Sequence, residues 1–233
     1  MAAAAAFLAG ASGFGFGLLA TPLLLLAGFP LPFVVTINLA LSLTTRVSVA
    51  VRFRRHVHAR RASMLVLGSI PGLLLGVQAL THVERSALTV ATGVLVMVLA
   101  VLIAFAGSGP PPRSLPGAPL LAGFAGGFLG TSTSLVGVPP ALLLARERVA
   151  ARGVYADLAV YFVAASGIGL AVLAAAGELA GDALYPTLAL WLPGALLGNL
   201  AGTAVGLRLP QRAFRLLALT AIFIAGATTA ITA

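Results

Sequence analysis

Cysteine is absent from the 233 residues, which excludes disulfides, thiolate metal sites and cysteine nucleophiles. Lysine is absent as well, and all 14 basic residues are arginine; nothing physical in the composition accounts for that preference. Only 5 residues are acidic, and charged residues make up 8% of the chain, against about 25% in a soluble domain. No HExxH or GxSxG motif occurs, and the few acids and histidines fall near the ends of apolar segments. An intramembrane enzyme would need a nucleophile–base pair or a metal cluster, and neither is legible. What remains is 60% hydrophobic with a mean hydropathy of +1.10, so the chain reads as an all-α polytopic membrane protein. The net charge of +9 is no nucleic-acid signal, because the arginines flank apolar segments as the positive-inside rule expects.

The chain is organised around Leu120–Leu144, LLAGFAGGFLGTSTSLVGVPPALLL. Its first half carries Gly123, Gly126, Gly127 and Gly130, the polar run Thr131-Ser132-Thr133-Ser134 follows, and Gly137 precedes Pro139 and Pro140. Proline suits the first turn of a helix, where its missing N–H costs nothing. The pattern predicts two half-helices meeting around 131–138, the second starting near Pro139. A similar segment, FLAGASGFGFGLLATPLLLLA, spans 7–27. There Gly10, Gly13 and Gly17 supply the glycines, and Thr21-Pro22 reads as an N-cap and first helical residue. Broken backbone at membrane depth survives only where protein buries it or it lines a wet cavity. Matched Gly/Pro interruptions in two halves are a pointer to a transporter's binding site. Two ordinary helices with Gly-rich packing faces are the alternative.

The first repeat is read as 1–106, with the broken segment 7–27 and spans at 33–51, 64–80 and 87–106. A Gly/Pro-rich linker, 107–119, separates it from the second repeat, 120–233, with the broken segment 120–144 and spans at 153–176, 183–207 and 214–233. The N-terminus lacks a positive n-region, so it is expected to be the first membrane element rather than a cleaved signal peptide. Pro71-Gly72 with Leu75-Gly76 answers Pro193-Gly194 with Leu197-Gly198, small-residue rows that let helix backbones approach. If all eight segments cross the membrane, the arginines divide between its faces. If each broken segment is instead a re-entrant hairpin, three crossings per half remain and the halves are inverted. Every arginine near a loop or span end except Arg85 then lies inside, with Glu178 and Asp182 outside. The inverted arrangement is favoured, and eight crossings stays open.

In order and size, the Gly-rich opening GASGFGFGLLATPLLLL, its partner GGFLGTSTSLVGVPPALLL, the PGLLLG and PGALLG elements and Thr36-Ile37-Asn38 resemble the sulfite exporter TauE/SafE family. The resemblance implies a multi-pass transporter of the bacterial cytoplasmic membrane for sulfite, sulfonates or other organosulfur anions. An accessory subunit of a larger permease is the other reading. The expected partners are a small anionic substrate and the lipid bilayer, with self-association open; no cofactor or metal is expected.

An anion site needs donors without a fixed charge that would trap the ligand. Half-helix N-termini at Thr21-Pro22 and Val138-Pro139 would supply N–H groups and positive dipole ends. The hydroxyls of Thr21, Thr131, Ser132, Thr133 and Ser134 and the Asn38 amide would complete a neutral shell, with Gly13, Gly17, Pro22, Gly127, Gly130, Gly137 and Pro139 shaping the breaks. Asn199 and Gln78 are weaker candidates. Arg46 is expected to snorkel to the interface, Asp157 to lie at the interface, and His56 and His58 to sit in a solvated loop.

Overall fold

The structure, a computed structural model, describes residues 16–105, 116–179 and 181–206, with isolated positions beyond them. Among the described residues it is helical, with no strand: α1 (Phe16–Leu26), α2 (Leu31–Phe53), α3 (Ala59–His82), α4 (Arg85–Phe105), α5 (Ala118–Thr133), α6 (Val138–Arg146), α7 (Ala151–Ala175) and α8 (Gly181–Gly206). A short 3₁₀ turn, Arg54–His56, follows α2. Leu31–His56, Ala59–His82, Ala151–Ala175 and Leu184–Val205 are long and apolar enough to cross a membrane. The expected span 214–233, most of the linker, Gly10, Gly13, Arg113, Arg208, Arg212 and Arg215 lie outside the described residues.

Helix α2 is the axis of the bundle. Phe33, Val34, Val35, Ile37, Asn38 and Leu39 are all buried, as expected of a helix enclosed on every side. α1, α7 and α8 pack around it, and α5 touches it at its end. The most extensive helix–helix contact is between α3 and α5, and glycine makes it. A Cβ at Gly68, Gly72 or Gly76 would collide with the carbonyls of Leu120, Phe124 or Phe128, and one at Gly123 or Gly127 with those of Leu65 or Ser69. Residue numbers rise together in these pairs, so α3 and α5 run in the same direction, backbone against backbone, as small residues permit. Pro71 sits inside α3, and Pro186 and Pro193 inside α8, without ending either helix.

Helix α5 stops at Ser134, whose φ of 67° and ψ of 14° place it in the left-handed region. The Leu135 N–H reaches back to the Leu129 carbonyl at 3.0 Å, a bond of the kind that closes helix C-termini. α6 then starts at Val138 with proline in its first turn and folds back along α5, so that Gly126 and Gly130 lie against Val136 and Pro140. The expected break at 131–138 is therefore present. Its left-handed residue is a serine, at a cost of about 1–2 kcal/mol, while Gly127 and Gly130 serve close packing within α5.

One end of the bundle gathers the charges. Asp157, fully buried on α7, accepts from Arg61 Nε at 2.6 Å and from the His58 N–H at 2.8 Å. Arg61 also lies 3.9 Å from Glu147 at the end of α6, and Phe53 stacks on Tyr155. Asp157 is thus a buried tie between the two halves, close to the start of its span. Its partners come from a loop that looked merely solvated. His58 in turn caps α3, its Nδ1 accepting from the Arg61 N–H at 3.4 Å.

Candidate functional site

Two of the polar candidates and the Asn38 amide converge on one point. Asn38 Nδ2 donates to Thr21 Oγ1 at 3.1 Å and to Ser134 Oγ at 2.8 Å. The first glycine-rich segment, the centre of α2 and the break after α5 are thereby joined by one side chain. Gly17 sits against the Ser134 carbonyl so closely that a Cβ there would collide with it. At 1.5 Å per residue, Asn38 stands about 20 Å from the Phe53 end of α2 and about 10 Å from its Leu31 end. The junction is buried, with Thr21 at 0% exposure and Asn38 and Ser134 at 3% each.

A small cavity lies beside it, with about 10 Å³ open to the centre of a water molecule, room for about one water. Gly17, Asn38, Ser42, Ser134, Gly137 and Phe162 are among its walls. Phe162 fits because position 137 is glycine; a Cβ there would strike the ring. Arg46 lies over the same ring, its guanidinium carbon 5.1 Å from the Phe162 ring centre. At 3% exposure, Arg46 is enclosed by protein and does not snorkel; it reaches an aromatic face, which weakly hydrated guanidinium groups favour.

The hydrogen-bond inventory of the junction is uneven. Asn38 spends both amide protons on hydroxyl oxygens, which leaves the protons of Thr21 and Ser134 without a protein acceptor among the described residues. The Val136 and Gly137 N–H groups in the break make no backbone bond among the described residues. Asn38 Oδ1 is buried with no hydrogen-bond partner among the described residues, an arrangement that costs roughly 1–3 kcal/mol. Ser166 Oγ, one turn along α7 from Phe162, is a second buried polar atom without a partner.

The remaining candidates are placed elsewhere in the bonding scheme. Thr131 Oγ1 donates to the Leu73 carbonyl at 2.8 Å, pinning α5 to α3. Ser132 and Thr133 donate to the Phe128 and Leu129 carbonyls one turn back, at 2.6 and 2.9 Å. Their protons are committed to backbone, the common fate of serine and threonine inside a helix. Thr21-Pro22 does not start a half-helix: both lie inside α1, because Thr21 turns its hydroxyl to Asn38 rather than to a backbone N–H. At α6, Pro139 and Pro140 remove two of the N–H groups a helix N-terminus would present, leaving the dipole with few donors. Asn199 bonds the Thr45 carbonyl at 3.3 Å, linking α8 to α2, and Gln78 is exposed. Ser42, Val136 and Phe162 were not singled out from sequence. Ser42 was findable, one turn along from Asn38; the other two carry no polar signal. No cluster of three metal-ligating residues occurs among the described residues.

The helix lengths, their hydropathy and the buried polar junction define a multi-pass membrane protein built around an interrupted helix. The sulfite exporter TauE/SafE family model matches residues 1–229, and the chain belongs to that family, whose members are membrane transporters of sulfur anions rather than enzymes. No curated protein and no solved structure matches the chain significantly.

Proposed function

We propose that the protein exports sulfite, a sulfonate or another small organosulfur anion across the bacterial cytoplasmic membrane, binding it at the Thr21–Asn38–Ser134 junction. The observation that carries this reading is the Asn38 amide, which bridges the first Gly/Pro segment to the second at 3.1 and 2.8 Å. Hydroxyl protons and break N–H groups supply neutral donors, and the positive end of the α6 dipole faces the same cavity lining. The cavity has room for about one water, so the bound state requires Gly17 and the Ser134 carbonyl to part. Occupied and empty states then differ in the contact between the two segments, which is how alternating access would be coupled to binding.

In this reading α5 and α6 form a re-entrant hairpin and the halves are inverted repeats. Support comes from the pairing of Arg61 with Glu147 and Asp157, which brings the ends of α3, α6 and α7 together. The parallel course of α3 and α5 supports it too. Every arginine near a loop or span end except Arg85 then faces the cytoplasm. Export of a monoanion is favoured by an inside-negative potential by about 2.3 kcal/mol per 100 mV, so no coupling ion is required. The test is sulfite efflux from liposomes holding only this chain. Potential-dependent, electrogenic efflux is expected. Absence of flux from folded protein would favour the accessory-subunit reading, and flux driven by a pH gradient alone would overturn the uncoupled mechanism.

A further inference from the structure

We infer that the form of substrate taken at the junction is a singly charged oxyanion bearing its own proton donor, as in hydrogen sulfite, and not a fully deprotonated dianion. This rests on the junction being the substrate site. Its starting point is Asn38 Oδ1, a carbonyl-type oxygen buried on a residue that lines the cavity and lacking any hydrogen-bond donor. Around it the free groups are donors: the Thr21 and Ser134 hydroxyl protons and the Val136 and Gly137 N–H groups. An ordinary anion, which only accepts, answers the donors and leaves Oδ1 unsatisfied at the moment water is expelled. An anion with one O–H answers both. Water itself, donor and acceptor, suits the same site when no substrate is bound.

Charge points the same way. Among the described residues no cationic side chain lines the cavity, and Arg46, about two helical turns from Asn38, packs on the Phe162 ring with its guanidinium carbon 5.1 Å from the ring centre. Burying a second negative charge without a cation in contact is far more costly than burying one. One uncompensated charge is close to what a helix dipole end and neutral donors can hold.

The experiment is calorimetric titration of the full chain in nanodiscs with sodium hydrogen sulfite and with methanesulfonate, at one mildly acidic pH. The two are monoanions of similar size, and a methyl group replaces the ligand's proton donor in the second. Hydrogen sulfite should bind about tenfold or more tightly, and sulfite affinity should fall as rising pH converts it to the dianion. No titratable side chain lines the cavity among the described residues. The buried ones on the packed helices are Arg46 on α2, against Phe162, Asp157 in its ion pair, Tyr155 against Phe53, and Tyr161, whose hydroxyl donates to the Val136 carbonyl at 3.1 Å. The pH effect should therefore follow the ligand. In Asn38→Leu the preference between the two anions should vanish; the wild-type comparison decides the matter even if that variant does not fold. Equal affinities, or tighter binding of the dianion, overturn the inference. If Ser134→Ala still weakens both ligands alike in that case, the substrate site stands and only its protonation preference falls. If neither anion binds, both fall.

Discussion

Replacing Asp157 with asparagine removes the charge from the most enclosed ion pair among the described residues. Asp157 is fully buried, Arg61 binds it through Nε at 2.6 Å and through Nη2, and the His58 N–H bonds its other oxygen at 2.8 Å. Breaking one partner of a buried pair costs about 3–5 kcal/mol. The Arg61 side chain is 18% exposed and recovers part of its hydration, and asparagine still offers an oxygen to His58. These two effects bring the expected loss to about 2–3 kcal/mol, at or just below the bottom of that range. Thermal or denaturant unfolding of the purified protein measures it. A double-mutant cycle with Arg61→Gln should return a coupling of about 1.5 kcal/mol or more, the worth of a hydrogen bond to a charged group. Wild-type stability in Asp157→Asn, or additive losses in the cycle, would refute the claim that this tie holds the halves together.

Three further outcomes are expected. Gly72→Ala, whose Cβ meets the Phe124 carbonyl, should destabilise by about 1–3 kcal/mol through overpacking, while Gly28→Ala, in open space but at φ of 85°, should act through backbone strain alone; unfolding midpoints compare them. Gly17→Ala should slow or abolish sulfite flux by holding α1 away from Ser134; unchanged flux would mean that the two segments need not close on each other. Cysteines introduced at His58 and Arg148 should label from the cytoplasm only, and periplasmic labelling at 148 would restore the eight-crossing topology.

The helices were readable because apolar runs, arginine clusters and Gly/Pro punctuation are local signals. Helix ends fell within a few residues of the expected 33–51, 64–80, 87–106, 153–176 and 183–207, and the break after Ser134 was visible in the residues flanking it. Side-chain direction was not readable. Four consecutive hydroxyls, Thr131–Ser134, look alike in sequence, yet three lie within the helix and bond backbone carbonyls, and Ser134 alone turns to Asn38. Asn38 was visible as an amide in an apolar span; that its partners stand 17 and 96 residues away is a tertiary fact. The burial of Arg46 and Asp157 was not legible, for a shared reason. Distance from a span end suggests access to water, but α7 closes over one and supplies the other, so both are enclosed.

The most direct measurement is sulfite affinity in Ser134→Ala, set beside Ser132→Ala and the exposed Ser63→Ala, with thermal stability followed in each. Ser134 holds a hydroxyl proton free for the ligand, whereas Ser132 has spent its own on the Phe128 carbonyl at 2.6 Å. A hydrogen bond to a charged group is worth about 1.5–3 kcal/mol, or roughly ten- to a hundredfold in affinity. Ser134→Ala should lose that much while Ser132→Ala and Ser63→Ala stay near wild type. A folded Ser134→Ala protein with unchanged affinity would move the binding site away from the junction.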